Sequence, residues 1–159
     1  MTTLKQLKCS GVALCGLIAV SSAQAEAFQD WNVAFKDGKC WAYTFSSNSS
    51  NLTGNTQLSV LYAPSDEVAG SISIKTAADD ITNWDMSLKV DGKKYDVLFP
   101  FAQTAFIGSG QPQKVISNAM RRGRAMEIQW TAPNSQSGTD RFSLMGYTSA
   151  LKHAESLCR

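Results

Sequence analysis

The sequence predicts a mostly β protein: a single antiparallel β-sandwich or barrel-like domain with a short helix near 112–122 and a C-terminal helix near 146–157. Three observations carry this expectation. Apolar residues alternate with small or polar ones in short runs broken by Asp-Gly, Gly and Pro, the period of half-buried strands. Helical spacing appears only late in the chain, in two stretches. Two cysteines, Cys40 and Cys158, stand near opposite ends of the segment that follows an export signal, where a single disulfide would clasp the domain.

The export signal comes first. Lys5 and Lys8 supply a positive start, Gly11 to Val20 an uncharged apolar run, and Ala23 and Ala25 the small residues of an A-x-A cleavage pattern. Residues 1–25 therefore read as a cleavable signal peptide and 26–159 as the mature domain. A run of about ten apolar residues is too short for a bilayer, which needs about 20, so a retained membrane anchor is the weaker alternative. Lipidation at Cys15 is weaker still, because Leu14 precedes it and the cysteine lies inside the apolar run. Loss of Lys5 and Lys8 takes the 15 basic residues to 13, matching the 13 acidic ones. A near-neutral mature chain gives no electrostatic reason to expect nucleic acid as a partner. Its 134 residues, 159 less 25, suit one core.

The mature chain opens with Trp31, Val33 and Phe35 at alternate positions, then the turn Asp37-Gly38, then Cys40 to Phe45, which together read as a hairpin. Residues 46–55, rich in Ser, Asn and Gly, form a loop. Strands follow at 58–62, ended by Pro64, and at 70–75 around Ile72 and Ile74. Met86 to Val90 is a strand closed by Asp91-Gly92, and Tyr95, Val97 and Phe99 continue the return strand. Pro112 opens the first helix, with Val115, Ile116, Ala119 and Met120 along one apolar stripe, and Gly123 ends it. Residues 125–131 alternate again, 133–138 form a loop, and 141–144 a short strand. The last helix carries Tyr147, Ala150, Leu151, Ala154, Leu157 and Cys158 on one side, which points Cys158 toward the strand that bears Cys40. With no C-x-x-C and no histidine cluster, a structural bond fits this pair better than a catalytic or metal role.

Three segments, in order and at their spacing, resemble the invasion-associated locus B proteins, a group of exported bacterial proteins. They are Asp30-Trp31-Asn-Val33 with Cys40-Trp41-Ala42, the helix-turn-strand Val115 to Ile128, and Phe142 to Leu151 with the terminal cysteine beyond it. The resemblance implies a β-rich domain of the periplasm or envelope and no particular biochemical activity.

Candidate functional residues are few. His153 is the only histidine, with no G-x-S-x-G or H-E-x-x-H motif to make it part of a hydrolase, and it reads as a surface residue of the last helix. Gly108-Ser-Gly110 lacks the lysine and the spacing of a phosphate loop and reads as a turn into the helix. Asp79, Asp80 and Asp85 lack the spacing of a calcium loop. Lys114, Arg121, Arg122 and Arg124 are the one tight basic cluster, either a solvated helix end or a patch for an anionic lipid or acidic partner. Trp31 and Trp130 read as core, and Trp84, in an Asn-Trp-Asp turn, as the exposed tryptophan.

The expectation is a non-enzymatic exported protein of the periplasm or envelope that binds an envelope component or another protein. No metal and no cofactor is indicated, and no membrane span remains after signal removal, though peripheral contact with an anionic surface is compatible with the basic cluster. A small envelope hydrolase with an unrecognised site and a secreted adhesin are the alternatives. A pocket of convergent carboxylates or histidine would favour the first alternative; an exposed apolar patch favours binding.

Overall fold

The computed structural model describes residues 25–48 and 53–159. The signal segment up to residue 24, with Cys9 and Cys15, and the middle of the Ser/Asn-rich loop lie outside them. Eleven strands and two α-helices follow in order among the described residues: β1 (Ala25–Phe28), β2 (Trp31–Lys36), β3 (Lys39–Phe45), β4 (Gln57–Ala63), β5 (Val68–Lys75), β6 (Asp85–Val90), β7 (Lys93–Tyr95), β8 (Leu98–Phe101), β9 (Thr104–Ile107), α1 (Gln111–Arg122), β10 (Ala125–Thr131), β11 (Ser137–Ser143) and α2 (Tyr147–Leu157).

Both Asp-Gly pairs make tight hairpins. Asp37 and Gly38 have φ of 51° and 74°, and Asp91 and Gly92 46° and 83°. Positive φ at both central residues gives the turn a twist that matches the flanking strands, and Asp and Gly tolerate it best. The strands then assemble into two antiparallel sheets, one of seven in the order β1-β2-β3-β4-β5-β9-β8 and one of four in the order β11-β10-β6-β7. Each keeps two open ends, so the fold is a sandwich rather than a closed barrel.

One face of each sheet is apolar. Trp31, Val33, Ala42, Leu58, Val60, Ile72 and Ile74 of the larger sheet share a core with Leu88, Met126, Ile128 and Phe142 of the smaller one. Both helices insert on this inner side. Tyr147 of α2 lies against Trp31, ring centroids 4.9 Å apart, and α1 buries Ile116 and Met120. Cys40 and Cys158 are bonded, with Cα atoms 6.0 Å apart, so the disulfide ties β3 to the end of α2. The Ser/Asn-rich loop joins the sheets. Asn48 accepts from the Arg141 backbone and donates to the Thr139 carbonyl, covering the otherwise unpaired edge of β11.

Several details differ from the sequence reading. Tyr95, Val97 and Phe99 do not share one return strand: β7 stops at Tyr95, and the chain crosses to the other sheet as β8. Strands β1 and β9 were not anticipated, being four residues each. Strand β11 begins at Ser137, inside the expected loop. Trp84 is 9% exposed, buried against Trp130 at 5.1 Å rather than open to solvent. Val115 and Leu157 fall outside their helices' buried stripes and remain half-exposed, because each helix meets the core through a narrower arc than its apolar positions span.

Candidate functional site

The expected basic cluster divides. Lys114 and Arg121 are seven residues apart on α1 and lie on one face of that helix. They line a groove of about 240 Å³ with Tyr62, Gly70, Gln113 and Ser117. Its walls are hydrogen-bonded: Gln113 Nε2 donates to the Ala69 carbonyl, and the Ser117 and Tyr147 hydroxyls are 3.1 Å apart. Burial, with help from the Glu155 carboxylate, pushes the Tyr62 hydroxyl up to about 12, so it stays neutral. Arg122 and Arg124 do not line the groove. No acid among the described residues ion-pairs with any of the four.

The other polar residues are engaged structurally. His153 Nε2 meets a Glu26 carboxylate oxygen at 2.9 Å, and its ring packs on Phe28, so it pins β1 to α2. Asp80 accepts from the backbone and hydroxyl of Thr82, a local turn that depresses its pKa. Gly110 opens α1 with φ of 80°. Among the described residues no three His, Cys, Asp or Glu side chains converge as a metal set. Asp140 is the one buried carboxyl among the described residues, 1% exposed. It accepts from Thr53 and Thr56 at 3.0 and 3.1 Å, and burial raises its pKa despite those bonds. The Trp130 indole N–H also favours its charged form, from outside good hydrogen-bond geometry, since Trp130 Nε1 is buried with no partner. Asp140 holds Thr53 and Thr56 to β11.

The feature that stands apart is the outer face of the seven-stranded sheet. Cross-strand partners in an antiparallel sheet share a face, so the register places Asn32, Tyr43, Ser59, Ser73, Phe106 and Phe99 in one row across six strands. A second row runs Phe45, Gln57, Lys75, Thr104, Phe101. Aromatic rings therefore stand at both ends of a polar floor. Phe99, Phe101 and Phe106 are 62, 69 and 43% exposed. Tyr43 and Phe45 meet edge-on at 5.8 Å. Between them the Ser59 and Ser73 hydroxyls pair at 3.1 Å.

Two recesses reach the ends of these rows. One, of about 360 Å³, is lined by Asp30, Asn32, Thr44, Phe45, Ser47 and Ser143, and so runs from Phe45 toward the smaller sheet. The other, of about 300 Å³, is lined by Asn55, Gln57, Lys75, Thr76 and Gln103, with Ala77. Phe45 of the first and Gln57 of the second are cross-strand partners. In the sequence Phe99 reads only as part of a return strand, and Phe101 and Phe106 have no assigned role. Their signal is Leu98-Phe-Pro-Phe101: a proline inside a strand marks an edge, and phenylalanines two apart on that edge share one face.

The same edge resists pairing with another strand. In the two-residue hairpin between β8 and β9 the closing pair Phe101 and Thr104 exchanges hydrogen bonds, which leaves Pro100 in the next pair facing the open side with no N–H to give.

No helix among the described residues is long and apolar enough to cross a membrane, which leaves membrane-spanning strands unaddressed. No family model, curated protein or solved structure matches this chain.

Proposed function

We propose that this chain is a non-enzymatic binding module of a bacterial envelope, exported, processed after Ala25 and held in the periplasm, that engages an envelope component through the outer face of its larger sheet. One observation carries the reading: three phenylalanines stand exposed together on that face. Large side chains left together in water on an ordered sheet mark an interaction site. The disulfide supports an oxidising compartment, and the resemblance to the invasion-associated locus B proteins supports the envelope. The test is retention of the processed protein on cell-wall and outer-membrane fractions. The wild type is expected on one of them, and a Phe99→Ser, Phe101→Ser variant in the flow-through. A wild type that nothing retains overturns the proposal.

A second reading has its own observation. Lys114 and Arg121, with no acid paired to them among the described residues, share one groove, which favours a peripheral contact with an anionic surface.

A further inference from the structure

We infer that the outer face of the seven-stranded sheet binds an extended, uncharged, β-linked polysaccharide chain, an inference that rests on the envelope-binding reading and names its ligand class. A pyranose ring is amphipathic: its axial C–H groups make an apolar face and its hydroxyls a polar rim. A site for it needs aromatic rings to take the faces, and neutral amides and hydroxyls, which both donate and accept, to take the rims. This face has that composition. Its rings flank a floor of serine, threonine and glutamine whose only charge is Lys75. The recess beside Phe45 adds Asn32 and the Asp30 carboxylate, whose Oδ2 already accepts from Ser143.

Geometry selects a chain over a single sugar. Strands are about 4.8 Å apart, so Tyr43 and Phe106, three strands distant, stand about 14 Å apart. Only a ligand several sugars long reaches both ends. An extended β-linked chain lies as a ribbon along a sheet, whereas a coiled α-linked chain touches it at one point. A lipid surface would ask for several basic residues beside the rings; Lys75 is the one basic residue in these two rows, and the Lys36–Lys39 pair on the same face lies at the other end of β2 and β3. A second copy added strand to strand at the β8 edge, beside the three phenylalanines, would meet Pro100, which has no N–H to give.

The test titrates the processed protein with cellohexaose, chitohexaose and maltohexaose, followed by calorimetry and by amide chemical shifts. The β-linked hexamers are expected to bind, more tightly than their dimers, with shifts confined to β3, β4, β5, β8 and β9. Phe106→Ala with Tyr43→Ala is expected to weaken binding roughly tenfold and to keep the wild-type circular dichroism, while Lys114→Ala leaves it unchanged. If the variant pair does not fold, Ser73→Val, which leaves the rings in place and removes a floor hydroxyl, is expected to weaken binding several-fold. Equal affinity for maltohexaose, shifts elsewhere, or binding only to anionic vesicles or a protein overturns the ligand class. Retention on envelope fractions with no saccharide binding overturns this inference alone. Retention on none overturns the envelope reading as well.

Discussion

Cys40 and Cys158 are bonded across 118 residues of chain, joining the first long hairpin to the last helix with Cα atoms 6.0 Å apart. The consequence is energetic. Closing a loop of that length removes entropy from the unfolded chain, which in the chain-entropy model amounts to about 4–5 kcal/mol. Against a typical net stability of about 5–15 kcal/mol this is a large share. Reduction, or Cys158→Ser, is expected to lower stability by about 2–5 kcal/mol, read as a shifted denaturant midpoint. Unchanged midpoints with and without reductant would contradict it.

A second prediction concerns Gly146, which opens α2 with φ of 92°. A Cβ there would lie 1.9 Å from the Phe28 carbonyl oxygen. The clash is with backbone, so no rotamer relieves it. Gly146→Ala is expected to cost at least about 2 kcal/mol and to loosen β1 first, seen as faster amide exchange at Phe28 to Asp30.

The Asp140 pair of threonine bonds predicts a pH dependence. Burial raises this carboxyl above its unfolded value. A raised acid contributes stability that is fully present below the unfolded value, near 3.9, and is lost as pH rises through the folded one. Asp140→Asn keeps a neutral partner for Thr53 and Thr56 and removes the charge. Its thermal midpoint is expected to match the wild type near pH 4 and to exceed it at pH 7. A variant less stable at pH 7 than at pH 4, relative to wild type, would show the carboxylate to be the stabilising form.

The groove on α1 predicts an asymmetry within the basic cluster. Lys114→Ala with Arg121→Ala should reduce low-salt binding to phosphatidylglycerol vesicles by roughly tenfold or more, and Arg122→Ala with Arg124→Ala by much less. Cosedimentation at two salt concentrations measures both. Equal losses would mean a diffuse charge effect, without a groove.

Local chemistry made much of this fold readable. Asp37-Gly38 and Asp91-Gly92 specify tight hairpins because two consecutive positive φ angles admit few other residues. Helix α1 was legible from Pro112 and Gly123, which mark its ends whatever packs on it. The partner of a strand is less legible. Tyr95 to Phe99 alternates without interruption in the sequence, yet the chain changes sheets inside it, because long-range packing against β6 and β9 decides which edge each half joins. Trp84 shows the same limit: a polar turn surrounds it, and only the approach of Trp130 from another strand takes it out of water.

For the candidate site the division is sharper. Residue types, strand parity and the pairing of Cys40 with Cys158 follow from the order of amino acids. That Tyr43, Ser59, Ser73, Phe106 and Phe99 share one row, and that Lys114 and Arg121 part from Arg122 and Arg124, follows from how the strands and α1 pack. Parity says which residues of a strand share a face. Register and sheet order say which faces meet, and these are set by the free energy of burying the opposite, apolar side.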